Sequence, residues 1–389
     1  MSHRLTAIPK AVYLHIPFCT NKCHYCDFNS VVLKGQPVME YLQALEREMA
    51  QTVQDVAPGT IESIFVGGGT PTVLTPEQMD YFLRSVRTYF PARSSSLEFT
   101  MEANPGTVDE EKLAVMKQGG VNRISFGVQS FDNSLLQTIG RIHDTDDVYR
   151  SLESARRVGF DNLSIDLMFG LPNQTLEQLD RTISSALALQ LPHYSIYSLK
   201  VEENTLFYKL YQRDELPLPD EDTELAMYRL IIDRLQEAGY DHYEISNFAR
   251  PGYESRHNMT YWRNEPYYGL GAGAHGYVRG HRHMNIKGVQ PYMKACQDRL
   301  PRAEQFAVEE LEAMEDFMMV GLRMLHGVQE DDFKAQFGVS IEEIFGSVAT
   351  RLQEQGLLER NEGRYRLTQQ GVIYGNDVFS AFLRDPESA

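Results

Sequence analysis

Six short β-rich runs, each followed by a stretch of helical or loop character, govern what this chain can fold into. The runs are Val12–Phe18, Ser63–Val66, Leu97–Glu102, Arg123–Val128, Leu163–Phe169 and Tyr194–Leu199. Between them, Pro37–Asp55, Thr75–Phe90, Asp109–Gly119, Thr145–Val158 and Thr175–Gln190 read as helices. The second of these opens on Thr75-Pro-Glu, a cap followed by proline in the first turn. Parallel strands need crossovers a dozen or more residues long, so this alternation predicts a parallel sheet covered by helices. Six repeats fall short of a closed eight-stranded barrel. The expected fold is therefore α/β, a partial (β/α)6 barrel, with sites collecting at the carboxyl ends of its strands.

The alternation stops near residue 200. Asp220–Gly239 reads as a further helix, and Glu254–Val289 is rich in Gly, His, Tyr, Asn and Arg without clear periodicity. Beyond residue 300 the order changes to helix (Val308–Leu325), short helix (Gln329–Phe337), helix (Ile341–Gln355), a hairpin over Leu357–Leu367 and a last helix, Gly371–Leu383. That succession resembles a winged helix. We expect two domains, residues 1–300 and 301–389. The segment Phe306–Ala389 holds 7 Lys and Arg against 16 Asp and Glu, a net charge of −9. A DNA-reading winged helix is basic, so this one reads as a docking or lid module.

The charge of the whole chain, −17, likewise opposes a nucleic-acid surface, because phosphate binding needs clustered Lys and Arg. No run approaches the roughly 20 apolar residues that span a bilayer, and the amino-terminal residues lack the pattern of a signal peptide. The expected location is the cytoplasm. There are four cysteines, three of them within eight residues, which is not the spread of a secreted disulfide framework.

Those three form Cys19-Thr-Asn-Lys-Cys23-His-Tyr-Cys26, directly after the first β-rich run. Gaps of three and two residues let one loop present three thiolates to one face of a metal cluster. A 4Fe–4S cube has four irons, so three thiolates leave one iron for a ligand from outside the protein. A zinc site completed by His15 or His24 is the competing reading, disfavoured because a second ligand pair is missing. A thioredoxin-like role for Cys23-His-Tyr-Cys26 leaves Cys19 unexplained. Cys296, beside the helical stretch Pro291–Ala295, reads as a packed, inert thiol.

Preceded by Tyr13-Leu-His-Ile-Pro-Phe18 and followed by Asp27-Phe28, the cysteine motif resembles that of the radical S-adenosylmethionine (SAM) superfamily. Within it, the flanking residues look most like the group of oxygen-independent coproporphyrinogen III oxidases and HemW-like heme chaperones. The resemblance runs over nearly the whole chain. It implies that SAM binds the open iron through its amino and carboxylate groups, and that one electron from the cluster cleaves its sulfonium bond. It also implies heme-accepting target proteins and an electron donor, such as a flavodoxin or ferredoxin, as partners. Contact with a membrane surface stays open.

The resemblance carries site residues with it. Gly67-Gly-Gly-Thr-Pro71 closes the second β-rich run, where consecutive glycines leave backbone N–H groups open to a ligand. By resemblance, Tyr13, Gly68 and Glu102 contact the cluster-bound SAM. Tyr25, Gly69, Thr70, Gln129, Arg141 and Asp166 match positions that bind a second SAM in the oxidases. Each taken alone is as readily a salt bridge or a strand-end cap.

Two departures bear on the reaction. Phe28 stands where the oxidases carry a further cysteine, and only eighteen residues precede Cys19 where the oxidases have an extension. Both put decarboxylation of propionates in doubt and match the heme chaperones. His257-Asn-Met-Thr-Tyr261-Trp262 resembles a heme-binding motif of that group, with His257 as axial ligand and His275, His281 and His283 as rivals nearby. The expected function is a heme chaperone binding a 4Fe–4S cluster, SAM and heme. The alternatives are a coproporphyrinogen III oxidase and a heme-degrading radical SAM methyltransferase.

Overall fold

The computed structural model describes residues 7–384. The six β-rich runs form strands Ala11–Ile16, Ile61–Gly68, Arg93–Ala103, Arg123–Gln129, Asn162–Phe169 and His193–Ser198. They lie side by side in chain order, each parallel to the next. The fourth is buried at every position although its residues alternate, Ile124, Phe126 and Val128 on one face and Arg123, Ser125 and Gln129 on the other, so a strand covered on both faces carries polar side chains toward the barrel interior. Helices Val38–Asp55, Pro76–Tyr89, Glu110–Gln118, Thr145–Arg157 and Leu176–Ala188 occupy the expected crossovers. Thr75 and Thr175 open two of them with reciprocal capping boxes through Gln78 and Gln178. Such a cap contributes about 1 kcal/mol and fixes where the chain turns back from the strand end.

The sheet extends further than the sequence periodicity indicates, to twelve strands. On one edge Tyr267–Leu270 pairs parallel with the first barrel strand, and His275–Val278, His281–Asn285 and Arg302–Ala307 follow as an antiparallel meander. On the other edge, Asn247–Ala249 adds antiparallel to the sixth, and Asp241–Glu244 adds antiparallel to Asn247–Ala249. The stretch 254–289, aperiodic as a sequence, thus contains strands of four or five residues and the helix Arg256–Trp262. Segments so short give neither a period of two nor one of 3.6.

Beyond residue 300, helices Glu310–Gly321, Glu330–Phe337 and Ile341–Glu354 precede a hairpin, Leu358–Asn361 with Arg364–Leu367. Val328–Gln329 adds a third strand to that hairpin, completing the winged-helix arrangement. The first helix begins at Glu310 rather than Val308, because the Val308 N–H donates to Gly280 O at 2.9 Å and so continues the edge strand Arg302–Ala307. The last expected helix is broken at Tyr374 (φ −96°, ψ 28°) into Gln369–Ile373 and Gly375–Ser380. Phe317, Phe333, Phe337 and Phe345 pack in mostly edge-to-face contacts as the centre of a second core.

This module is joined to the sheet. Arg282 pairs with Asp316 at 2.5 Å. The Leu325 N–H donates to Tyr243 O at 3.0 Å, and Ile245 N–H to Arg323 O at 3.3 Å. Among the described residues, no helix is long and apolar enough to cross a membrane.

Candidate functional site

The cysteine loop is clamped at its base and from the side. Phe18–Cys19 pairs in parallel with Val31–Val32, closing residues 20–30 into a loop beyond the first barrel strand. His24 N–H donates to Ile139 O at 3.0 Å, Asn21 Nδ2 to Gly140 O at 3.0 Å, and the His24 Nδ1 bonds Thr138 O at 3.0 Å. Cys19, Cys23 and Cys26 are half-buried free thiols lining one cavity of about 110 Å³. Thr70 Oγ1 donates to Cys19 Sγ at 3.5 Å and Arg141 Nη1 to Cys23 Sγ at 3.3 Å. Burial pushes the Cys26 thiol up to about 11 and raises that of Cys19. Burial therefore favours the protonated form of Cys19 and Cys26, and a bound cation would displace those protons.

The strand ends supply the other walls. Gly68 ends the second strand, with Gly69 and Thr70 after it; Glu102 lies near the end of the third, with Asn104 after it; Gln129 ends the fourth, and Asp166 lies on the fifth. The Gly68 φ of +107° is open to glycine, and a Cβ there would fall 2.2 Å from the His15 ring. Glu102 Oε2 accepts the Gly68 N–H at 3.0 Å. Burial and the nearby Asp166 push the Glu102 carboxyl up to about 8, against the pull of that N–H. Burial raises Asp166 as well, opposed by hydrogen bonds from Ser125 and Ser195. Gln129 sits at φ +69°, beside a register shift in the pairing of the fourth and fifth strands. A non-glycine residue at such an angle is strained backbone held by its surroundings.

Tyr25, Gln129, Arg141 and Asp166 line the same cavity as the three cysteines, Gly68, Gly69, Thr70 and Glu102. Asn104, which the motif reading passed over, ties the wall together. Its Nδ2 donates to Thr70 Oγ1 at 2.8 Å, and its Oδ1 accepts from Arg141 Nη2 at 2.6 Å. The sequence signal was Asn104-Pro105, a turn dipeptide at a strand's carboxyl end.

Two residues of the expected set stand apart. Tyr13 does not line this cavity; its hydroxyl bonds His15 Nδ1 at 2.9 Å and its ring stacks on Phe65. His257 is fully buried, with Nδ1 bonded to Ser63 Oγ at 3.0 Å and Nε2 to Tyr261 Oη at 2.8 Å. Both ring nitrogens are engaged in hydrogen bonds, so an iron would have to displace Ser63 or Tyr261 to reach one of them. It is a hydrogen-bonded core residue, because its helix starts against Glu98, whose carboxylate accepts the Arg256 and His257 N–H groups at 3.1 Å. Its neighbours Tyr261 and Trp262 instead line a second cavity of about 790 Å³. Of the rival histidines, His283 is buried against Gly269 O, while His275 is exposed.

The zinc alternative loses one of its two candidate fourth ligands, His15, and His24 turns its Nδ1 to Thr138 O. His15 uses both ring nitrogens, on Tyr13 and on Asn29 O at 2.8 Å. Among the described residues no three His, Cys, Asp or Glu side chains converge as a cage for one ion. Thiolates around a cube each bind a different iron and need not converge on a point. Three sulfurs on one wall, two of them already receiving hydrogen bonds, therefore fit a cluster better than a single ion. Cys296 is fully buried and far from the loop, its thiol pushed up to about 12 by burial.

The radical SAM superfamily model matches residues 13–186, and the HemN C-terminal domain model matches residues 308–374. The heme chaperone HemW of Bacillus subtilis is 46% identical over 96% of this chain and 99% of its own length. That of Escherichia coli is 36% identical over 97% and 99%. This chain belongs to the HemW family of radical SAM proteins. Among solved structures, coproporphyrinogen III oxidase (HemN) from Escherichia coli superposes with a TM-score of 0.85 over 98% of this chain and 91% of its own, at 22% identity, a likeness of fold. In this HemW-family chain Phe28 is an exposed apolar residue on the rim of the cysteine cavity.

Proposed function

We propose that this protein is a cytoplasmic heme chaperone of the radical SAM type. Cys19, Cys23 and Cys26 would hold a 4Fe–4S cluster by three of its irons, leaving the fourth for SAM. When bound, the pair supplies one-electron chemistry at the SAM sulfonium. The chain's own residues do the rest. Glu102, which accepts the Gly68 N–H, would receive the SAM ammonium beside the Gly68–Thr70 turn. Arg141, whose Nη1 donates to Cys23 and Nη2 to Asn104, would supply the positive charge that attracts a carboxylate, and Gly69, Thr70, Tyr25, Gln129 and Asp166 would surround the remaining space for a second SAM. A flavodoxin or ferredoxin would deliver the electron, and heme-accepting proteins would receive the cargo.

The observation that carries the reading is the full-length similarity to proteins named heme chaperone, joined to Phe28 where the oxidases have cysteine. Anaerobically reconstituted protein, given SAM and reductant, should retain heme through gel filtration and leave coproporphyrinogen III unchanged. Protoporphyrinogen in the mass spectrum would establish the oxidase instead.

A further inference from the structure

We propose that Asn104 is a positioning residue that raises the reduction potential of the cluster, by aiming Thr70 and Arg141 at the sulfurs of Cys19 and Cys23. This rests on the cluster reading above and is independent of heme. The Asn104 amide bonds both donors, with Nδ2 donating to Thr70 Oγ1 at 2.8 Å and Oδ1 accepting from Arg141 Nη2 at 2.6 Å. The partners fix that orientation, because a guanidinium only donates, so the amide oxygen faces Arg141 and the amide nitrogen Thr70. The Thr70 oxygen already accepts from Asn104, so its own hydrogen turns elsewhere, and Cys19 Sγ lies 3.5 Å away to accept it. On the other arm, Arg141 Nη2 is held between Asn104 Oδ1 and Gly127 O. That fixes the guanidinium plane with Nη1 3.3 Å from Cys23 Sγ. One amide thus directs hydrogen bonds to two of the three thiols.

The plain alternative is a turn residue, since asparagine before proline marks a turn. That turn is closed without the side chain. Asn104 O accepts the Thr107 N–H at 3.1 Å and the Thr107 hydroxyl at 2.6 Å, and the Gly106 N–H donates to Ser151 Oγ at 3.0 Å. An asparagine that serves its own turn bonds the backbone two residues on, whereas this one reaches across to two other segments. The fourth strand makes room for that reach. A Cβ on Gly127 would fall 2.9 Å from Asn104 Oδ1 and 3.1 Å from Arg141 Nη2. Glycine weakens a strand interior, and close approach of another group is the reason for it here.

Hydrogen bonds to the sulfurs of an iron–sulfur cluster stabilise its reduced, more negative state and so raise its potential. The Arg141 contact is charge-assisted and is the stronger of the two. Ser30 also hydrogen-bonds Cys19, so Asn104 governs only part of the donation to that sulfur. Without the amide, the Thr70 hydroxyl is released to rotate, and Arg141 Nη2 keeps Gly127 O alone. The cluster is then harder to reduce.

The test is a redox titration of the reconstituted full chain without SAM, following the reduced cluster by electron paramagnetic resonance. Asn104→Ala should lower the midpoint potential by about 59 mV, a tenfold change in the one-electron equilibrium and the scale of one lost hydrogen bond. Thr70→Val, which removes the Cys19 arm alone, should also lower it. Asn104→Ala in the Thr70→Val background should then add less than it does by itself, because the two share one hydroxyl. A merely structural role would change stability and cluster content and leave the potential of the intact cluster in place. An unchanged potential in Asn104→Ala, or full additivity with Thr70→Val, would overturn the proposal and leave the cluster reading standing. If Asn104→Ala holds no cluster, Gly127→Ala decides in its place. Its Cβ presses on the Asn104–Arg141 bond and should lower the potential, and an unchanged value there would overturn the proposal. Loss of the cluster in both variants would make Asn104 a structural residue instead. Wild type that holds no cluster would overturn both readings.

Discussion

Glu102 at the end of the third barrel strand accepts the backbone N–H of Gly68 at the end of the second, at 3.0 Å. The glycine-rich turn and the acid expected to meet SAM are thus one unit. The carboxyl is pushed up to about 8 by burial and by Asp166, so it is mostly protonated at pH 7. A bound ammonium favours the ionised form, so its binding drives the proton off. SAM binding should release protons at pH 7 and tighten as pH rises toward 8. Calorimetry in two buffers of different ionisation enthalpy measures the release, and Glu102→Gln should remove it and weaken SAM. An equal heat in both buffers would separate Glu102 from the SAM site.

Gly68→Ala forces a Cβ into the His15 ring at a φ of +107°. His15 is held by Tyr13 and by Asn29 O, so it cannot yield without moving the cysteine loop. We expect a smaller SAM-induced change in the electron paramagnetic resonance of the reduced cluster. Gly252→Ala, at an open position on the same chain, provides the control.

Wild type should carry about four irons per chain after reconstitution. Cys19→Ala, Cys23→Ala and Cys26→Ala should each lose the cluster absorbance. Cys296→Ala should keep it, with a stability loss of about 1–2 kcal/mol from the cavity left in a fully packed site. A full cluster in any of the first three variants would refute the ligand set.

Glu48 is a buried carboxyl that accepts from Gly271 N at 2.7 Å, Asn285 Nδ2 at 2.6 Å and Tyr292 Oη. It fastens the helix Val38–Asp55 to the sheet extension. Burial pushes it up to about 7, against those hydrogen bonds. An acid whose folded value lies above its unfolded one stabilises fully below the unfolded value, near 4.5, and loses that contribution as pH rises through about 7. Urea unfolding should therefore show wild type falling further than Glu48→Gln between pH 4.5 and 7. Glu48→Ala, which strands three donors, should cost about 3 kcal/mol or more at pH 6.

The barrel was legible because its signals are local and repeated. Val12–Phe18 and Arg123–Val128 place an apolar residue at every second position, and Thr75-Pro-Glu marks a helix start, whatever the rest of the chain does. The cysteine spacing fixed a metal-binding loop, and its flanks pointed to the family. The short strands at Tyr267–Leu270, His275–Val278 and His281–Asn285 were not legible, since strands so short take their stability from neighbours distant in sequence.

His257 shows most clearly what the sequence leaves undecided. A histidine followed by Tyr261 and Trp262 reads as a ligand until Glu98, 159 residues away, pins the start of its helix and Ser63 takes its Nδ1. The pairing of Arg323 with Trp262, drawn from different modules, and the bridge from Asn104 to Arg141 have no trace in local pattern. Sequence sets backbone propensity and residue chemistry, which act over a few positions. Only the folded chain decides which buried polar atoms find partners across it, and so which side chains are left facing a cavity.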